Sequence, residues 1–153
     1  MKKILIAVED SKGSMATVDT FSKLFAQARP DEVVLLYVEK IEGRSLMDEM
    51  LGEAEMSTLK EQLKGTEYQE HLDMKAKTIL NFYRKELEGN GVKNIKTIVK
   101  EGHPADEIIG AAREENVEMI IIGSRGRRLH TLLMGSVSRE VSNRADIPVL
   151  IAR

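Results

Sequence analysis

Five short runs of apolar residues are spaced along the chain. Four of them are almost continuously apolar, which is typical of strands covered on both faces of a sheet. The third run alternates apolar residues with Lys and Thr, which indicates a strand near a sheet edge with one wetter face. The predicted strands are 4–8, 33–38, 95–99, 119–122 and a last one that begins at Pro148 and ends at Ala152.

Between these runs, apolar residues recur at helical spacing. The first predicted helix is capped by Ser11 or Ser14 and ends before Pro30. A third helix starts at Pro104, which suits the first helical position, and a fourth follows Gly135. The apolar stripe of the first helix is Val18, Phe21, Phe25 and Ala28, and that of the second is Leu72, Ala76, Ile79, Leu80, Tyr83 and Leu87.

The alternation of strands and helices predicts an α/β fold. Such strands pair in parallel through right-handed crossovers, which gives a doubly wound open sheet with helices on both faces. The length of 153 residues suits a single domain spanning 1–153. In sheets of this class, ligands bind outside the carboxyl ends of the strands.

The segment from 39 to 73 differs in composition from the rest of the chain. It carries ten acidic residues against four Lys or Arg, and Met47, Met50 and Met56 lie within it. Glycines at 43, 52 and 65 interrupt any helical pattern. We therefore expect a mobile acidic flap at 39–65.

Charge and composition exclude several classes of function. The net charge of −2 gives the chain no overall electrostatic attraction to nucleic acid. The absence of cysteine excludes a disulfide framework and a thiolate metal site, and it suits a cytoplasmic protein. The initial apolar run is too short for a signal peptide, and no run approaches the ~20 apolar residues of a membrane span.

The strongest candidate for a binding site is the stretch 119–139. A predicted strand there ends in a turn with Gly123 and Gly126, a basic segment follows, and Gly135 precedes a helix. The stretch contains no acidic residue, and its positive charges are Arg125, Arg127, Arg128 and Arg139. Glycines let backbone N–H groups approach an anion, and a helix start adds unpaired donors. The stretch therefore predicts a phosphate-binding loop.

Other interpretations of these residues remain open. The glycines could serve only tight connections, and the arginines could form only a solvated surface. A Walker loop is excluded because Ser136, not Lys, follows Gly135, and the dinucleotide fingerprint is absent after the first strand. Glu9 and Asp10 end that strand, where they could bind a ribose or Mg²⁺, or stabilise the next helix start. His103 is predicted to be a helix-entry residue.

A phospho-receiver domain is a weaker alternative. It needs an Asp after the third strand and a Lys after the fifth. The third predicted strand instead ends in Val99-Lys100-Glu101, and the fifth ends in Ala152-Arg153. Phosphoryl acceptance is therefore not expected.

Four motifs together resemble those of the universal stress protein family, and the resemblance covers the whole chain. The matching stretches are ILIAVEDSKGS at 4–14, GHPADEI at 102–108, IIIGSRGRRLHTLLMGSVS at 120–138 and IPVLI at 147–151. The resemblance implies a five-stranded sheet in the order 3-2-1-4-5 and a homodimer formed through the last strand. In one branch of the family, it also implies ATP bound at the loop after the fourth strand.

The resemblance also implies which residues surround the nucleotide. Mg²⁺ would be bound through the phosphates, with Asp10 as a candidate ligand. The residues implied around the phosphates and ribose are Gly123, Arg125, Gly126, Gly135, Ser136, Val137 and Ser138. Those implied on the side of the base and sugar are Ala7, Val8, Glu9 and Val38, and Ile122 completes the expected site.

Two functions follow from these observations. The first is a homodimeric stress-response regulator that binds ATP or another adenine nucleotide, with at most slow hydrolysis because neither Glu9 nor Asp10 has a positioned partner in the sequence. The second is a dimeric adaptor that has lost nucleotide binding and regulates a protein partner. Eight residues separate Gly126 from Gly135 where the ATP-binding branch usually has nine, which favours the adaptor. For the nucleotide-binding function, Gly123→Val and Gly135→Val are each expected to abolish binding and leave the fold intact.

Overall fold

The computed structural model describes residues 1–39, 67–124 and 135–153 of the chain. Within these ranges, strands and helices alternate as the hydrophobic pattern predicts. In chain order they are β1 (Lys3–Val8), α1 (Lys12–Leu24), β2 (Glu32–Glu39), α2 (Glu67–Gly89), β3 (Ile95–Glu101), α3 (Pro104–Glu114), β4 (Met119–Gly123), α4 (Ser136–Arg144) and β5 (Val149–Ala152).

The five strands form one parallel sheet in the order β3-β2-β1-β4-β5. This confirms the doubly wound fold and the strand order that the family resemblance implied. It also confirms that the strand with alternating polarity, β3, lies at an edge. The strand order reverses between β1 and β4, so the crevice where such sheets bind ligands lies at the carboxyl ends of these two strands.

Two hydrophobic clusters cover the two faces of the sheet. Successive strand residues point to opposite faces, so Ile4 and Ile6 pack with Phe21 of α1 and Leu87 of α2, while Leu5 packs on the other side. The second cluster joins the sheet to α3 and α4, and its helical members include Ile108, Ala112 and Val141. Coverage on both faces explains why the central strands are continuously apolar.

The first helix is shorter than its apolar spacing predicts. It ends at Leu24, and Phe25 forms its C-cap by donating its N–H to Phe21 O at 2.9 Å. Ala28, predicted as part of the stripe, is exposed and lies outside the helix. Phe25 keeps the helical spacing of apolar residues although it lies beyond the helix, because its ring stacks on that of Phe21 with 5.2 Å between the ring centroids.

Two other predictions concern the acidic flap and the second helix. The predicted flap at 39–65 lies outside the described residues except for Glu39, which ends β2 and is buried. The stripe predicted for the second helix is confirmed, because Ala76, Leu80, Tyr83 and Leu87 are all buried. No helix in the described parts of the chain is long and apolar enough to cross a membrane.

Candidate functional site

A pocket opens at the carboxyl edge of the sheet, where β1, β2 and β4 end and α1, α3 and α4 begin. This is the crevice predicted from the alternation of strands and helices. The residues that line it are Ala7, Val8, Glu9, Ser14, Leu36, Val38, Pro104, Ile108, Ile122, Gly123, Ser124, Gly135, Ser136, Val137 and Ser138.

Most of the site residues expected from the sequence are brought together here. Of the twelve, Arg125 and Gly126 lie outside the described residues. The other ten all line the pocket: Ala7, Val8, Glu9, Val38, Ile122, Gly123, Gly135, Ser136, Val137 and Ser138. Asp10, the candidate magnesium ligand, is exposed and is not among the lining residues. In the described ranges, no group of three or more His, Asp or Glu residues is arranged to hold a metal ion.

Five lining residues were not expected from the sequence: Ser14, Leu36, Pro104, Ile108 and Ser124. Leu36 could have been found, because it lies two residues before Val38 and so faces the same side of β2. Pro104 and Ile108 reach the pocket from α3, whose position depends on the folded packing of α3 against the sheet. Local spacing gives no signal for such a long-range contact.

One wall of the pocket is apolar. Leu36 is fully buried, and Ala7 pairs with Leu36 on one side and with Ile122 on the other. Val38 and Ile108 extend this surface. Because Ala7 is small, it leaves space between its larger neighbours. An apolar wall with polar groups at its margin is suited to a flat heterocycle.

A carboxylate is fixed at the end of β1. Glu9 Oε1 accepts a hydrogen bond from Ser11 Oγ at 2.9 Å, and Glu9 N donates to Ser14 Oγ at 2.9 Å. Ser11 also caps α1, because its hydroxyl oxygen accepts from Ser14 N at 3.2 Å. Capping therefore selects Ser11 of the two serines predicted, and Ser14 instead holds the backbone of Glu9. The turn presents an acceptor for ligand hydroxyl groups.

The start of α4 supplies backbone donors. Gly135 is the N-cap residue, and no acidic residue lies in the first turn. Helix geometry leaves the first N–H groups without intrahelical partners and gives this end a partial positive charge. Ser136 is exposed at the first helical position. This end of the pocket is therefore suited to an anion.

Ser138 holds this helix start together. Its side chain is buried, and its hydroxyl lies 3.0 Å from Gly135 O and 3.3 Å from Ser124 O, the two carbonyls that can accept its proton. Gly135 N also donates to Ser124 O. The Ser138 hydroxyl proton is thus used within the protein, so toward a ligand this side chain offers lone pairs alone.

Gly123 makes close contact with the first turn of α1. A Cβ atom at this position would lie 2.5 Å from Gly13 O and 2.8 Å from Gly13 C. Since both are backbone atoms, a side chain could not be accommodated by rotating a neighbour. The glycine is thus required by the packing of β4 against α1, whatever the pocket binds.

A polar network joins α3 to α4. His103, the N-cap of α3 as predicted, lies with Nε2 2.9 Å from Glu140 Oε2. Arg144 Nη1 contacts Glu140 Oε1 and Asp106 Oδ1, each at 2.7 Å. The hydrogen bond from His103, together with that from Arg144, holds the pKa of the Glu140 carboxyl below its usual range.

Acid is expected to weaken this contact between α3 and α4. Because the pKa of Glu140 is lower in the folded protein, the unfolded chain binds more protons near pH 4, so stability is present above about pH 4.3 and is lost as pH falls through the folded pKa. Thermal unfolding between pH 7 and pH 3 should show a shallower acid dependence for Glu140→Gln than for the wild type. Identical pH dependence in the two proteins would contradict this role.

Comparison with known proteins gives the chain its family. The model of the universal stress protein family matches residues 1–153. Universal stress protein MJ0577 of Methanocaldococcus jannaschii is 33% identical over 156 residues, which cover 99% of this chain and 94% of that protein. The solved structure of MJ0577 has a TM-score of 0.75 against this chain at 30% identity, and the match covers 99% of this chain and 94% of the other.

More distant structures share the fold and contain nucleotides. The universal stress protein of Archaeoglobus fulgidus in complex with dAMP has a TM-score of 0.65 at 18% identity, covering 100% of this chain and 98% of that one. An Arabidopsis thaliana family member with AMP bound has a TM-score of 0.66 at 18% identity, covering 99% of this chain and 91% of that one. With a family match over its whole length and a relative at 33% identity, this chain belongs to the universal stress protein family.

Proposed function

We propose that the pocket binds an adenine nucleotide and that the bound state regulates a stress response. The observation that carries this proposal is that one pocket combines three kinds of binding group: the apolar wall around Ala7, the fixed Glu9 carboxylate, and the donors at the start of α4. These suit a base, a ribose and a phosphate, respectively. The AMP and dAMP complexes of the two distant family members support the same ligand class.

Within this class we propose ATP as the first ligand to test, with Mg²⁺ bound through its phosphates. The sequence supports a triphosphate because Arg125 lies in the turn after the fourth strand and Arg127 and Arg128 follow that turn. The described donors at α4 suit a single phosphate equally well, so AMP and ADP belong in the same test. We propose at most slow hydrolysis, because the Glu9 carboxylate is held by Ser11 rather than by a group that would make it a base.

We also propose a homodimer formed through the last strand, from Pro148 to Ala152. Support comes from the position of β5 at a sheet edge and from the partial burial of Val149, Leu150 and Ile151. An unpaired edge with apolar side chains favours addition of a second copy. We propose the cytoplasm as the compartment, on the basis of the cysteine-free sequence.

Calorimetry with AMP, ADP and ATP, each with and without Mg²⁺, tests the binding proposal. We expect at least one of them to bind with a dissociation constant below about 1 mM, or roughly −4 kcal/mol. Ala7→Leu should weaken binding at least tenfold, because the larger side chain fills the space beside Leu36 and Ile122. Its unfolding curve provides the control for folding, and GTP provides the control for base specificity.

An adaptor that regulates a protein partner is the second candidate function. The observation that favours it is the span of eight residues between Gly126 and Gly135. If no adenine nucleotide gives heat at millimolar concentration, the nucleotide proposal fails and the adaptor is favoured. In that case we propose the acidic segment at 39–65 as the region that contacts the partner.

A further inference from the structure

A tyrosine from α2 contacts the turn that carries the pocket carboxylate. Tyr83 is only 3% exposed, and its hydroxyl lies 3.3 Å from the backbone oxygen of Glu9, to which it donates. The two residues are 74 positions apart in the chain. This bond therefore connects a helix that does not line the pocket to a residue that does.

The same tyrosine lies beside a second pocket residue, Ser14. Burial raises the pKa of the Tyr83 phenol, the charges of Glu9 and Asp10 raise it further, and a hydrogen bond with the Ser14 side chain lowers it. The net pKa is raised, so the phenol is protonated at neutral pH and can donate to Glu9 O. Ser14 Oγ accepts from Glu9 N. Glu9 O accepts from Ser11 N at 3.0 Å as well as from the Tyr83 hydroxyl, so Tyr83 adds a bond from α2 to a backbone oxygen that the turn itself already holds.

The hydroxyl of Tyr83 is not needed to fill the core. The ring packs in the cluster that contains Val8 and Leu80, and a phenylalanine ring would fill the same space. A buried hydroxyl carries a desolvation cost that its hydrogen bonds must offset. Its hydrogen bond reaches Glu9, which lines the pocket.

We infer that Tyr83 is a positioning residue of the ligand site, which fixes the Glu9–Ser14 turn from α2 and thereby sets the affinity for the ligand. The statement about affinity rests on the proposed nucleotide function. The positioning of the turn does not rest on it, because these hydrogen bonds join groups of the protein to one another. The consequence is a physical connection between the position of α2 and the pocket.

The test is Tyr83→Phe, which keeps the ring and removes the hydroxyl. Hydrogen exchange in the nucleotide-free protein should be about twofold to tenfold faster at the Glu9 and Ser14 amides and unchanged in α3, since this is the range by which loss of one hydrogen bond changes a local equilibrium. AMP affinity should fall by about threefold to tenfold. The matched control is Thr78→Val, which removes an exposed hydroxyl of α2 that donates to Met74 O, and it should change neither quantity.

Introducing Tyr83→Phe into a Glu9→Ala variant distinguishes an effect on the position of Glu9 from a general loss of stability. If Tyr83 affects affinity by positioning the Glu9 carboxylate, Tyr83→Phe causes no further loss of AMP affinity in that background. An equal loss in both backgrounds, or unchanged exchange at Glu9 and Ser14, overturns the inference. A wild-type protein that binds no AMP overturns the proposed function and the effect on affinity, while the exchange rates still decide whether Tyr83 fixes the turn.

Discussion

Phe21→Ala is expected to reduce the free energy of unfolding by about 3–5 kcal/mol, the range for deleting a buried aromatic ring. Phe21 is 1% exposed and packs between α1 and the strands in the cluster that contains Ile4 and Ile6 of β1. Its ring also stacks on Phe25, so the substitution would leave a cavity and remove an aromatic pair. Urea unfolding measures the change as a lower midpoint.

The matched control for this prediction is Phe82→Ala. Phe82 is also a helical phenylalanine, but it is 46% exposed, and its ring contact is with the adjacent Tyr83. Its loss is expected to cost less than about 1.5 kcal/mol, because little apolar area is returned to water. Equal losses for the two variants would show that the cluster around Phe21 is not the core that holds α1 to the sheet.

The architecture was predictable because it depends on burial patterns that extend over several residues. β1 and β2 are covered by helices on both faces and therefore have continuous apolar runs, while β3 at the edge is more polar and has no fully buried residue. A crevice at the carboxyl ends of the strands follows from this class of fold. The family resemblance implied which residues surround the ligand, and ten of them line the pocket in this crevice.

The details that were not predictable depend on contacts between residues distant in sequence. The end of α1 was placed too late because Phe25 keeps its contact with Phe21 after the helix has ended. Ser138 was expected to contact the nucleotide, and nothing in the sequence indicated that its hydroxyl donates to a backbone carbonyl of the protein, at Gly135 or Ser124. Tyr83 was predicted as a core residue, and its spacing gave no sign that its hydroxyl reaches Glu9.

Gly123→Ala is expected to destabilise the fold by about 1–3 kcal/mol, the usual cost of overpacking. The added methyl would lie 2.5 Å from Gly13 O, so either β4 or the first turn of α1 must move. The expectation that Gly123→Val would leave the fold intact is therefore wrong, because the larger side chain meets the same backbone atoms. Thermal or urea unfolding of the alanine variant measures the effect.

Gly110→Ala is the matched control, because the same substitution there should have the opposite sign. Gly110 lies within α3, and a Cβ atom would meet nothing within 4 Å. Alanine is favoured over glycine in a helix by about 1 kcal/mol, so this variant should be more stable than the wild type. Destabilisation by both variants would contradict the packing assigned to Gly123. If Gly110→Ala raises the free energy of unfolding and Gly123→Ala lowers it, then Gly123 is required by the contact between β4 and α1, independently of any phosphate.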